Sequence, residues 1–150
     1  VIITKNVSQL GLKIPLFQSS GFGSTKNIEQ AGKSAEGIMV PVGRILVAEQ
    51  LSDSHYQKKV LMDYKNAYRS NFKTEASTFG GHAYDAIYLV IDALKAVGPD
   101  RVKIRNYIES SNGFVGIADI YKFTPDDHCG LTKDAFEMLR VENGQFVIAE

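Results

Sequence analysis

Apolar positions along this chain change spacing from one stretch to the next, and the changes outline its elements. Ile3, Val7 and Leu10 stand at i, i+4 and i+7 on one helical face, with Gly11 where a left-handed C-cap belongs. Leu12 to Phe17 predicts a strand, with Pro15 near its start. Thr25 to Ala35 predicts a short helix capped by Ser24 or Thr25 and weakened at its end by Gly32. Gly37 to Val42 predicts a second strand, and a strand–helix–strand unit implies parallel pairing. Leu46 to Ser54 has no clear period.

Helical spacing returns over Tyr56 to Tyr68. Gln57, Val60, Leu61, Tyr64, Ala67 and Tyr68 form a stripe, and Lys58, Lys59, Asp63 and Lys65 fall largely outside it. Phe72 to Ser77 reads as a connector, after which Ser77 or Thr78 caps the strongest helix. Along it Ala83, Ile87, Val90, Ile91, Leu94 and Val97 recur until Gly98-Pro99. Asp100 caps a further helix whose apolar positions are Val102, Ile104, Tyr107 and Ile108. Ile117 to Phe123 and Ala135 to Val141 then predict strands. Glu142-Asn143-Gly144-Gln145 predicts a hairpin turn into Phe146–Ile148. The pattern is α/β with a partly antiparallel finish.

Composition narrows the partners. At 150 residues, 44% hydrophobic and 23% charged, the chain is an ordinary globular domain. Lys plus Arg equals Asp plus Glu at 17 each, which argues against nucleic acid or an anionic membrane as partner. The apolar stretch Ala86–Leu94 contains Asp92 and is too short to span a bilayer. A single cysteine, Cys129, excludes an intrachain disulfide and leaves the compartment open. Val1-Ile2-Ile3 lacks the basic start of a secretory signal, and the missing initiator Met reads as a processed or truncated chain.

The most suggestive loop is Ser19-Ser20-Gly21-Phe22-Gly23-Ser24, between the first predicted strand and its helix. Such glycines can cradle a phosphate, supply positive φ, or bring a side chain such as Phe22 to a ligand. Lys26 stands where a dinucleotide loop needs its third glycine, and no Gly-Lys-Ser/Thr is present. A ligand-contacting loop and a structural turn remain. Phe79-Gly80-Gly81-His82 poses a similar choice, because two glycines at the front of a helix lower its propensity. Either another backbone or a ligand approaches there, with Phe79 and His82 at the helix mouth, or Phe79 is core and the glycines relieve packing.

Catalytic and metal signals are weak. His82, His128 and Cys129 lack zinc-site spacing, so no metal is expected. Asp126-Asp127-His128-Cys129-Gly130 after Pro125 reads as a turn with Asp side chains bonding backbone N–H groups. Neither Ser19 nor Ser20 lies in GxSxG, and Asp126 and Asp127 are adjacent rather than facing across a cleft. No enzyme activity and no cofactor are expected.

The stretches LGLKIPLFQSSGFGS, SAEGIMVPVG, YDAIYLVIDALKAVG, GFVGIADIYKFTPDDHCGL and VENGQFV carry a resemblance. In this order they resemble type I periplasmic substrate-binding proteins of ABC importers, nearest the leucine/isoleucine/valine-binding branch. The resemblance covers essentially the whole chain and is to the C-terminal portion of proteins more than twice as long. It implies an α/β fold with a three-layer, mostly parallel sheet flanked by helices, here as an incomplete lobe. Residues 1–45 and 118–150 would belong to the second lobe, and the helices of 46–117 would associate with the first. The resemblance places Ser19, Ser20, Gly21 and Phe22 near the ligand, and supplies Phe79 from the opposite lobe; His82, at the same helix mouth, is a further candidate from the residue pattern.

In function, the resemblance implies a solute-binding component that closes by a hinge over a small molecule and serves a membrane permease. The setting would be periplasmic or extracellular. The alternative is a sensory or regulatory ligand-binding domain of the same fold. Amino-acid-binding members carry a carboxylate just before the first loop glycine, where this chain has Ser20. With Phe22 and Phe79 as flat apolar surfaces, that departure favours an aromatic or aliphatic carboxylate over a zwitterionic amino acid. Strands without their neighbours imply an exposed edge, and the 150-residue chain is expected to self-associate.

Overall fold

A computed structural model of the chain describes residues 1–149 and begins with α1, Ile2–Gln9. Gly11 ends α1 at φ +65°. Its N–H donates to Ser8 O at 3.0 Å and that of Leu12 to Val7 O at 3.2 Å, the paired closure a left-handed residue permits. The strand predicted for Leu12–Phe17 does not form. Only Phe17 pairs, in parallel with Met39, while Leu12, Ile14 and Phe17 are exposed. A strand requires a continuous ladder, and Pro15 has no N–H to donate to one.

Next come α2 (Thr25–Ala31) and a 3₁₀ turn over Gly32–Ala35, so the predicted single helix is split where Gly32 takes φ +59°. After β1 (Met39–Val42), the stretch without a clear period is 3₁₀ turns over Arg44–Gln50. Three helices come after it: α3 (Lys58–Phe72), α4 (Thr78–Val97) and α5 (Arg101–Ser110). Ser77 Oγ accepts the Gly80 N–H at 3.2 Å, and Asp100 Oδ1 accepts those of Val102 and Lys103 at 2.9 and 3.0 Å. Both predicted caps are therefore in place.

The chain ends in strands: β2 (Phe114–Val115), β3 (Ile120–Tyr121), β4 (Glu137–Glu142) and β5 (Gln145–Ile148). Asn143 and Gly144 take φ +51° and +74°, as a two-residue hairpin turn requires. The main sheet runs β1-β4-β5, with Val40 opposite Leu139 and Val141 opposite Phe146. The α/β class and the incomplete lobe hold. Of the mostly parallel sheet, however, these residues supply one bridge, and the ladders they complete are antiparallel. A parallel ladder needs a second strand returned by a crossover, and the Leu12–Phe17 segment meets β1 at a single residue.

Two apolar cores result. Val40, Val42, Leu139, Val141 and Phe146 of the sheet enclose one with Phe22, Ile28 and Ala35. Ile45, Leu51, Leu61, Tyr64 and Ile117 form the other, and Leu46 and Ile148 touch both. The stripe predicted to bury α4 instead leaves Ile87, Val90 and Leu94 exposed, and α5 buries no residue fully. Lys65, placed outside the α3 stripe, is buried with its Nζ 2.8 Å from Glu49 Oε2. Among the described residues no helix is long and apolar enough to cross a membrane.

The buried side of α4 is built on Gly81 and Asp85. A Cβ on Gly81 would come within 2.5 Å of Ile117 Cγ2, so this glycine permits close approach of a side chain rather than of a ligand. Four residues on, Asp85 has no exposure and accepts the N–H groups of Ile117 and Ala118 at 2.7 and 2.9 Å. Asp85→Ala would leave two buried donors unmatched, and a loss of about 2–4 kcal/mol is expected in urea unfolding. Burial, opposed by those two bonds, raises the Asp85 carboxyl above its ordinary range. The folded state thus holds this proton more tightly than the unfolded state. Its contribution is complete below the ordinary aspartate range and is lost as pH rises through the raised value. Asp85→Asn, having no proton to exchange, should flatten that slope in urea midpoints compared between acid and neutral pH.

Candidate functional site

The glycine loop is a single 3₁₀ turn, Ser20–Phe22. Asn27 braces it, with Nδ2 donating to the carbonyls of Gly21 and Phe22 at 3.2 Å each. Neither loop glycine has positive φ. A Cβ on Gly23 would stand 2.4 Å from Val42 Cγ2, so Gly23 lets the turn close onto β1. Gly21 meets nothing nearer than Ser19 Oγ at 3.5 Å. Phe22, expected to face a ligand, is instead 5% exposed and packed in the sheet core. The turn points its ring inward because the apolar sheet face offers more contact than the open side of the loop.

Gly21 nevertheless borders a cavity of about 370 Å³, whose opposite wall includes Phe79. Ser24, Lys26, Tyr68 and Glu75 also line it. Phe79 is 63% exposed and so is not core. Two of the six candidate residues, Gly21 and Phe79, thus meet across one space although they are far apart in sequence. Ser19 and Ser20 are exposed on the same turn but outside that lining. His82 is also outside it, with Nδ1 3.4 Å from the Tyr121 hydroxyl. At helical spacing His82 follows Phe79 toward Tyr121 rather than toward the loop.

The cavity continues into a second one of about 540 Å³ that shares Thr25, Leu46, Glu75 and Ala76 with it. Together they form a groove between the sheet unit and the helical unit. Its charges are mostly matched. Arg69 grips Glu75 with Nε–Oε1 and Nη2–Oε2 distances of 2.9 and 3.0 Å. Partial burial works against the charge on Glu49, yet the Lys65 ammonium and nearby Arg69 hold its carboxyl below the ordinary range.

Behind the groove the two units are joined by a buried polar cluster that sequence reasoning missed. Arg44, directly after β1, sends Nε to Glu137 Oε2 at 3.1 Å and Nη1 to Gln57 Oε1 at 3.0 Å. Its Nη2 bonds the Asp134 carbonyl, and Nη1 lies 3.8 Å from Asp119 Oδ2. Tyr56 donates to Asp119, and burial followed by that carboxylate pushes the Tyr56 hydroxyl up to about 12. Gln57 Nε2 donates in turn to the Gly116 carbonyl at 3.1 Å. The one available signal was an Arg flanked by Gly43 and Ile45-Leu46-Val47, and its partners lie up to 93 residues away.

The acidic turn near the C-terminal hairpin has the predicted form, with Asp127 Oδ1 accepting the Cys129 N–H at 2.9 Å. Among the described residues no three His, Cys, Asp or Glu side chains are grouped to hold a metal. The arrangement as a whole defines an α/β protein with two cores, a groove between them and residues from both sides lining it.

No protein-family model matches the chain, and no curated protein does. Solved structures do match. An extracellular ligand-binding receptor from Rhodopseudomonas palustris HaA2 agrees with a TM-score of 0.88 at 27% identity, covering 99% of this chain and 44% of that one. A leucine-binding protein, LivK, from Thermotoga maritima MSB8 gives 0.75 at 20%, covering 99% and 40%. The branched-chain amino acid transporter substrate-binding protein LivJ from Streptococcus pneumoniae, in complex with isoleucine, gives 0.70 at 22%, covering 96% and 38%. The chain has the fold of the type I periplasmic substrate-binding proteins, in agreement with its motifs, and spans less than half the length of these relatives.

The two loop glycines should separate under mutation. Gly23→Ala is expected to cost about 1–3 kcal/mol by overpacking against Val42. Gly21→Ala should stay within about 0.5 kcal/mol, as a surface change does. Urea denaturation of both variants checks this, and a loss confined to Gly21→Ala would contradict the assignment.

Proposed function

We propose that the protein carrying this chain is the solute-binding component of an ABC importer. It captures a small organic solute between two lobes and presents it to a membrane permease. The observation that carries this reading is the meeting of Gly21 and Phe79 across one cavity between two separate cores. Residues 1–45 and 118–150 belong to one lobe, and the helices of 46–117 associate with the other. A solute touching both walls binds the closed arrangement better than the open one, and that difference drives closure about the junction. No chemical step is involved, so the protein is not an enzyme. LivK and LivJ, which share the fold, are by name amino acid binding proteins, and capture outside the cytoplasm accords with that role. With Phe22 in the core, Phe79 is the aromatic contact that remains.

Calorimetry and small-angle scattering on the complete protein test the proposal with a panel of amino acids and small carboxylates. Binding of one class should contract the particle, and Phe79→Ala should weaken that binding about tenfold, the scale of losing one buried aromatic contact. No binding by any member, or a Phe79→Ala variant that binds unchanged, would overturn it.

Taken alone, the 150-residue chain should self-associate. Ile2, Ile3, Ile87, Val90 and Leu94 are exposed, and the parallel side of β1 is paired only at Met39. Unpaired edges and apolar faces of this kind favour contact between copies. Light scattering at micromolar concentration should find dimers or larger species; a stable monomer would refute this.

A further inference from the structure

The charges around the groove are unevenly matched, and the imbalance says what kind of solute belongs there. Glu75, the carboxylate lining the Gly21–Phe79 cavity, is held by both arms of the Arg69 fork. Glu49, in the adjoining cavity, is held by Lys65. Lys26 lines the first cavity and takes part in none of the described ion pairs. Its exposed ammonium is therefore the one uncompensated charge on that wall among the described residues. Phe79, Leu46 and Ala76 supply apolar lining to the same cavity.

We infer that Lys26 is a specificity-determining residue that selects a small monocarboxylate with an apolar body over a zwitterion. The inference rests on the solute-binding reading and adds the chemistry of the solute to it. A carboxylate at Lys26 gains a charge-assisted hydrogen bond while its body covers Phe79 and Leu46. The ammonium of an amino acid would need a carboxylate of its own, and both carboxylates of the groove already have cationic partners.

The test titrates the complete protein with benzoate, hexanoate, their neutral amides and leucine, in the parent and in Lys26→Met and Lys26→Arg variants. Lys26 is exposed and unpaired, so both variants should keep the parent's thermal melt. At least one acid should bind about tenfold or more tighter than its amide. Lys26→Met should abolish that margin without weakening the amide, and Lys26→Arg should restore most of it. Leucine binding tighter than both acids overturns the inference and leaves solute capture standing. An acid margin that survives in Lys26→Met does the same. Failure of both acids to bind overturns this inference, and failure of the whole amino acid and carboxylate panel overturns the proposed function as well.

Discussion

A guanidinium almost shut off from water ties the two cores of this chain together. The side chain of Arg44 is 10% exposed, and a charge so placed is tolerable only with opposite charge and acceptors around it. Its planar fork meets Glu137 and Asp134 at the entrance to β4, Gln57 at the start of α3, and Asp119 just before β3. Arg44, Asp119 and the Asp134–Glu137 stretch therefore converge on one point between the cores. Lysine could not serve in the same way, since a single ammonium cannot engage partners in three directions within one plane. Because Glu137 opens β4 and Gln57 leads into α3, the cluster also sets how the sheet and the helices face one another.

The groove is the consequence of that facing. Thr25 and Gly21 come from the sheet side, Glu75, Ala76 and Phe79 from the helical side, and Leu46 from the turns just beyond Arg44. Asp85 steadies the helical side independently by anchoring Ile117 and Ala118 to α4. The walls are thus held from behind by buried polar contacts, while the groove itself remains open. That is a workable arrangement for a protein that must admit a solute before closing over it, as proposed. The Lys65–Glu49 and Arg69–Glu75 pairs of its lining cancel locally, while Lys26 takes part in no ion pair among the described residues.

Features governed by neighbours in sequence were legible. Ser77 and Asp100 capped the helices they precede, Gly11 and Gly98 stood at helix ends, and Asn143-Gly144 made the hairpin. Features that depend on a distant partner were not. Leu12–Phe17 has the composition of a strand but meets β1 at one residue. The α4 stripe has the right period, yet Gly81, Asp85 and Ala93, on another face, are the buried positions, with Ile117 packed at Gly81 and bonded to Asp85. Phe22 and Phe79 look alike as candidate ligand contacts, and one entered the core while the other stayed exposed.

By itself the sequence determined the caps that start α4 and α5, the glycines that end α1 and α4, the final hairpin, the α/β class and, through its ordered motifs, the resemblance to periplasmic binding proteins. These rest on backbone preferences and short-range hydrogen bonds that act within a few residues. Tertiary structure alone decided which apolar faces were covered, which way Phe22 turned, and which of Gly21, Phe79 and His82 shared a cavity. It also decided the Arg44 cluster, whose members are polar residues with no local pattern. Burial and ion pairing depend on distance in space, and a chain folded on itself brings together positions that its linear order keeps 93 residues apart.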